Sequence, residues 1–107
     1  MEKRKDRAAN LVKELSAEFL ERESNRVSLI TVTDCRVSAD LKKATVFFTV
    51  LPASREQAVL KFAKRKRSEL RDFLKEKMRT QNVPFVDLAI DEGEKNRQKI
   101  DELLRHS

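Results

Sequence analysis

The sequence predicts an α+β fold: a single small domain over 1–107, in the order α-β-β-α(kinked)-β-α, with a mixed three-stranded sheet packed by helices on one face. Three observations lead there. Apolar residues recur at spacings of three and four in three stretches, and at a spacing of two in three others. Two of the alternating stretches adjoin as in a hairpin, whereas the third is reached only through a long helical stretch. That order demands a crossover, which is right-handed between parallel strands. Finally, 107 residues that are 39% apolar and 39% charged leave room for one thin core and exclude larger enzyme folds.

The first helix is expected from about Asp6 to Glu23, because Leu11, Val12, Leu15, Phe19 and Leu20 share a face, with Ser24-Asn25 as its stop. From Val27 the period becomes two. Ile30 and Val32 alternate with Thr31 and Thr33, then Cys35 and Val37 continue after a phase shift at Asp34, the mark of a bulge. SADLKK (38–43) supplies the turn, and Ala44, Val46, Phe48 and Val50 alternate with Thr45, Phe47 and Thr49 up to Pro52. Ser54, with Gln57 three residues on, reads as a capping box for a long helix reaching about Arg79. Beyond Val83-Pro84, Val86, Leu88 and Ile90 face one way and Asp87 and Ala89 the other. Asp91 and Gly93 read as a turn, before a last helix with Ile100, Leu103 and Leu104 on one face. Thr45, Thr49 and Asp87 are expected on the watered face of the sheet.

The long helix contains a fault. Val59, Leu60, Phe62, Ala63, Leu70, Phe73, Leu74 and Met78 form one face, but a straight helix would carry Lys66 and Arg67 onto it. Two unpartnered cations in an apolar interface cost several kcal/mol. A break is therefore expected, with one half ending near Lys66 and the second starting near Ser68 as its cap, with Arg71 and Asp72 in its first turn. The outward stripe is then Lys61, Lys64, Arg65, Arg71, Lys75 and Arg79.

Charge points to the same element. The chain carries 24 Lys and Arg against 18 Asp and Glu, net +6, with a pI near 9.7. Residues 54–79 alone hold 10 basic and 4 acidic groups, which equals the whole excess. A basic helix face is often mere solvated surface. Concentration of the net charge in one kinked element favours a polyanion instead, held by Lys61, Lys64, Arg65, Lys66, Arg67, Arg71, Lys75 and Arg79 and by the basic start Lys3, Arg4, Lys5 and Arg7.

Other chemistries lack their parts. The single glycine, Gly93, excludes phosphate-cradling glycine loops and the GxxG clamp. His106 has no second histidine for a metal or a catalytic pair, and no cofactor is expected. Cys35, the only cysteine, sits in a strand, reads as a small core residue and cannot form an internal disulfide. Asp34, Asp40, Asp87 and Asp91 suit turns and strand edges. Phe47 and Phe85 point away from the core face; edge packing against a helix explains them more simply than base stacking. No apolar run is long enough for a membrane span, and the charged start lacks a secretory stretch, so a cytoplasmic protein is expected.

Over nearly its whole length the sequence resembles the ribosome-binding factor A family. The residues that carry this are RAANLVKELSAEFLERE (7–23), ITVTDCRVSADLKKATVFFTVL (30–51), VPFVDLAID (83–91) and KIDELL (99–104). Thr31, Val32, Thr33, Val37, Ser38, Asp40, Leu41, Ala44, Val46, Val50 and Leu51 match the strand–turn–strand block in register. The resemblance implies a type II KH-like domain whose GxxG is replaced by a kinked helix pair. It also implies a non-catalytic factor that binds 16S rRNA in the 30S subunit during late assembly, with ribosomal proteins as neighbours, assists 5′-end processing and leaves before translation. Many members carry Ala-x-Gly at the kink, where Lys66-Arg67-Ser68 stands here. An acidic or basic tail beyond the last helix is not expected, and a monomer is. The alternatives are a general KH-like RNA chaperone without ribosome preference and a helical protein whose stripe binds an acidic partner.

Overall fold

The computed structural model describes residues 4–24, 28–79 and 82–105; expectations touching Lys3, Asn25, Val27 and His106 lie outside them. Helix α1 spans Arg4–Glu23, strands β1 and β2 span Leu29–Val37 and Lys43–Leu51, and helices α2 and α3 span Glu56–Arg65 and Arg67–Met78. Strand β3 (Phe85–Ile90) and helix α4 (Glu92–Arg105) complete the order. The sheet runs β1-β2-β3, antiparallel between β1 and β2 and parallel between β2 and β3. The mixed sheet and the crossover through the helix pair are those expected from the sequence.

One face of the sheet makes the core. Val46 and Phe48 from β2 and Leu88 from β3 meet Val12, Phe19 and Leu20 from α1 and Leu70 and Leu74 from α3, all essentially buried. The α1–α3 contact includes tilted rings, Phe19 and Phe73, with centroids 5.6 Å apart. The β1–β2 register slips between Val32 and Asp34, so Thr33 is the extra residue. The bulge foreseen from the phase change lies there. Ser38 and Asp40 build the hairpin turn: Ser38 Oγ donates to Asp40 Oδ1 at 2.6 Å, and the Lys42 N–H donates to the same oxygen at 3.0 Å. That bonding lowers the Asp40 pKa, the Ser38 hydroxyl being the main cause.

Three expectations need correction. Thr49 is buried, at 5% exposure, although it points opposite to Phe48 and Val50. The far face is therefore not wholly open at that point; α4 contacts β2, and the Asp91 N–H donates to the Phe48 carbonyl at 2.8 Å, extending the β2–β3 ladder. Ser54 caps nothing: it lies in a short 3-10 turn, Ala53–Arg55, which delays α2 to Glu56. Gly93 is not in a turn but in the first turn of α4, because Asp91 caps that helix through Oδ1 to the Glu94 N–H at 2.9 Å. The left-handed backbone is instead adopted by Leu41 (φ 62°) and by Arg79 (φ 51°) at the end of α3. Ile100, Leu103 and Leu104 do share α4 as expected, but all three are more than half exposed.

Candidate nucleic-acid interface

The break between α2 and α3 is a one-residue joint. Lys66 alone leaves the helical region, at φ −91° and ψ 4°. Its N–H donates to both the Phe62 and Ala63 carbonyls, at 3.2 and 3.1 Å, which tightens the last turn of α2. The ladder then resumes at once, with the Leu70 N–H on the Lys66 carbonyl at 2.8 Å. The expected start near Ser68 is met to within one residue, but the expected Ser68 cap is not formed. Helix α3 begins at Arg67, neither half has a side-chain cap, and Arg71 and Asp72 lie beyond its first turn.

The joint solves the problem posed by two cations on an apolar face. Val59 and Ala63 stay buried before it, and Leu70, Phe73 and Leu74 after it. Lys66 is half-buried, with Nζ 3.2 Å from Glu69 Oε2 and 5.9 Å from the centre of the Phe62 ring. Arg67 swings outward, its NH1 3.2 Å from Asp87 Oδ1 on β3 and its Nε donating to the Lys64 carbonyl at 3.1 Å.

Lys61, Lys64 and Arg65 on α2, and Lys75 and Arg79 toward the end of α3, are exposed and make no ion pair among the described residues. Arg71 does not join their stripe. Restarting the helical phase at Arg67 places Arg71 four residues on, over the same β3 side. There it donates from NH2 to the Val83 carbonyl at 3.2 Å, and its guanidinium lies 3.9 Å from the centre of the Phe85 ring. Phe85 is thus packed against a helix residue, as the simpler sequence reading had it, and is still 64% exposed.

Arg4, Lys5 and Arg7 are exposed on the first turns of α1. Arg4, Arg7 and Arg71 line one open cleft of about 730 Å³ between α1, the hairpin turn and the start of β3. An adjoining cleft of about 610 Å³ is lined by Lys43, Arg67, Ser68 and Asp87. Arg71 and Phe85 line both. The sequence reading missed Lys42 and Lys43 as members of this surface. Their place depends on the parallel register that sets Lys43 against Phe85, and strand spacing alone does not signal it.

Comparison with known proteins decides the kinship. A family profile described as ribosome-binding factor A matches residues 4–104. The chain belongs to the ribosome-binding factor A family. It is 32% identical over 104 residues to ribosome-binding factor A of Thermobifida fusca, covering 94% of this chain and 69% of that protein. It is 30% identical over 109 residues to that of Coxiella burnetii, covering 100% and 92%. The crystal structure of ribosome-binding factor A from Thermus thermophilus matches with a TM-score of 0.71 at 23% identity, over 80% of this chain and 94% of that one. A homology model of the Thermus thermophilus protein, fitted into a cryo-EM map of a 30S–RbfA complex, matches with a TM-score of 0.67 at 21% identity, over 76% of this chain and 88% of that one. These two likenesses show the fold, which is KH-like.

Within this family's fold, the remaining reactive groups have structural places. Cys35 is buried at 7% exposure, and burial pushes its thiol up to about 11, so it stays protonated and inert at neutral pH. Asp34 accepts from the Cys35 N–H and lies 3.7 Å from Arg36. The described residues contain no cluster of His, Cys, Asp and Glu that could hold a metal ion, and no helix long and apolar enough to cross a membrane.

Proposed function

We propose that this chain is a non-catalytic assembly factor that binds the 30S subunit through 16S rRNA during late maturation and assists processing of the rRNA 5′ end. The observation that carries this reading is the row Lys61, Lys64 and Arg65, exposed on α2 away from its buried Val59 and Ala63 and unpaired by carboxylates among the described residues. Family membership supports it, as does the similarity to a protein fitted into a 30S–RbfA complex. Each phosphate that such side chains neutralise releases counterions and adds affinity that falls steeply with salt. Arg4, Lys5, Arg7, Lys75 and Arg79 extend the same cationic surface, and Lys66 and Arg67 contribute once their own carboxylates yield to phosphate. The protein acts as a monomeric KH-like unit in the cytoplasm.

The test is sedimentation of cell extract at low and high salt. The protein is expected with immature small subunits at low salt and in the free fraction at high salt. Recovery in the free fraction alone, even at low salt, overturns the reading.

A further inference from the structure

Phe85 is an aromatic ring in an unusual place. It opens β3, its N–H bonds to the Lys42 carbonyl at 2.8 Å, and its side chain points away from the core that Val86 and Leu88 enter. The Arg71 guanidinium lies over the ring at 3.9 Å, yet the residue is 64% exposed and borders two open clefts. Arg71 is itself fixed, by its bond to the Val83 carbonyl. The ring is therefore backed by an anchored group, and a stacking surface positioned before binding loses less entropy on binding.

The surroundings select the occupant. Phe85 stands between two contiguous open clefts, with Arg4, Arg7 and Lys42 beside the one carboxylate Asp40 in the first, and Lys43 and Arg67 beside the one carboxylate Asp87 in the second, so cations outnumber carboxylates in both. Leu11, Leu41 and Met78 give the first cleft an apolar floor. A flat hydrophobic surface flanked on both sides by cations matches a planar base with a phosphate before and after it. A duplex hides its bases within the stack and cannot use the ring. Resting on the RNA-binding reading above, we propose that Phe85, backed by Arg71, is a stacking platform for one unpaired base of RNA. The flanking phosphates are held by Arg4, Arg7 and Lys42 on one side and by Lys43 and Arg67 on the other. The RNA path thus runs from the kink past Phe85 to the start of α1, joining two basic regions that are far apart in sequence.

The experiment titrates the full chain with a short unstructured oligoribonucleotide carrying one 2-aminopurine, whose fluorescence is quenched by stacking. The wild type quenches it. Phe85→Leu keeps an apolar side chain at an exposed position, loses the quench and binds roughly tenfold more weakly, the size of one base–aromatic stack. Its salt dependence is unchanged, because no charge is removed. Phe85→Trp restores the quench, and an RNA duplex binds wild type and Phe85→Leu alike. Equal quenching by Phe85→Leu and wild type overturns the platform, as does an equal loss of duplex affinity. So does a Phe85→Leu effect confined to a polyglutamate peptide, which would assign the groove to an acidic protein. Sedimentation with small subunits separates the two readings: a chain that still sediments with them but never quenches loses only the platform.

Discussion

Before the kink, Lys61, Lys64 and Arg65 stand off α2 without a carboxylate partner among the described residues; at the kink and just after it, Lys66, Arg67 and Arg71 are engaged by Glu69, Asp87 and the Val83 carbonyl. The two sets are chemically alike and nearly adjacent in the chain. Their surroundings differ. The outer flank of α2 meets water, whereas the start of α3 lies against β3, which offers a carboxylate and an aromatic ring, and against the segment before it, which offers the Val83 carbonyl. A positive stripe in a sequence therefore contains two populations, one presented to a polyanion and one partly committed to the fold. The commitment is graded. An exposed ion pair such as Arg67–Asp87 contributes only about 0–1 kcal/mol and can be exchanged for a phosphate, whereas the semi-buried Arg71 cannot leave without a larger loss.

The largest expected effect tests the first population. Replacing Lys61, Lys64 and Arg65 together by Glu should weaken binding to structured ribosomal RNA by about a hundredfold or more. The log–log salt slope should become shallower by about 3, roughly one for each phosphate left without its cation. Filter binding across a salt series measures both, and the thermal midpoint should not move. The next effect tests the second population. Arg71→Met keeps the apolar stem but removes the bond to Val83 and the packing of the guanidinium on Phe85. It should cost about 2 kcal/mol and lower the melting temperature by roughly 8–16 °C. An Arg71→Met protein that melts like the wild type would erase the distinction between the two sets.

Much of this was legible in the sequence, and the failures share a cause. Period-two and period-3.6 patterns located the strands and α-helices, and the phase shift read at Asp34 revealed the bulge, which lies one residue earlier, at Thr33. The kink was readable because two cations on an apolar face are too costly to leave there. The place of Arg71 was not, since a helical wheel assumes one continuous phase and the joint resets it. The caps failed for a related reason. Ser54 and Ser68 have the right chemistry, but a 3-10 turn and an almost unbroken ladder had already satisfied the N–H groups they would serve. The cluster of Phe85 with Lys42, Lys43, Arg4 and Arg7 depends on tertiary register, which local pattern does not encode.

A smaller version of the fastened-versus-open contrast occurs within α4. Its start is tied down by Asp91, whose Oδ1 caps the helix and whose Oδ2 accepts from Thr33 Oγ1 at 2.5 Å, linking helix and bulge. From Gln98 to Asp101 its side chains are exposed. Asp91→Ala should destabilise by about 1–2 kcal/mol, the usual cost of a lost cap. The Thr33 hydroxyl, and then the Glu94 N–H, hold the Asp91 pKa below its ordinary 3.8. Stability from a depressed carboxylate is present above the unfolded pKa and fades as pH falls through the folded one. The difference between wild type and variant should hence be full at neutral pH and shrink below about pH 4, as denaturant melts over a pH series will report.

The smallest effect probes where the two populations meet. Arg67 bonds to Asp87 at 3.2 Å with both side chains about half exposed. A double-mutant cycle of Arg67→Gln and Asp87→Asn should give a coupling of about 0.2–1 kcal/mol that is screened away at high salt. The same Asp87→Asn change frees Arg67 and removes a negative charge from the cleft, so RNA affinity should rise by about two- to fivefold while stability falls slightly. Opposite signs in the two assays are the signature of a cation shared between the fold and its ligand. Loss of RNA affinity in Asp87→Asn would mean instead that the ion pair holds Arg67 in its binding position, and Arg67 would then belong with Arg71 among the residues the fold cannot release.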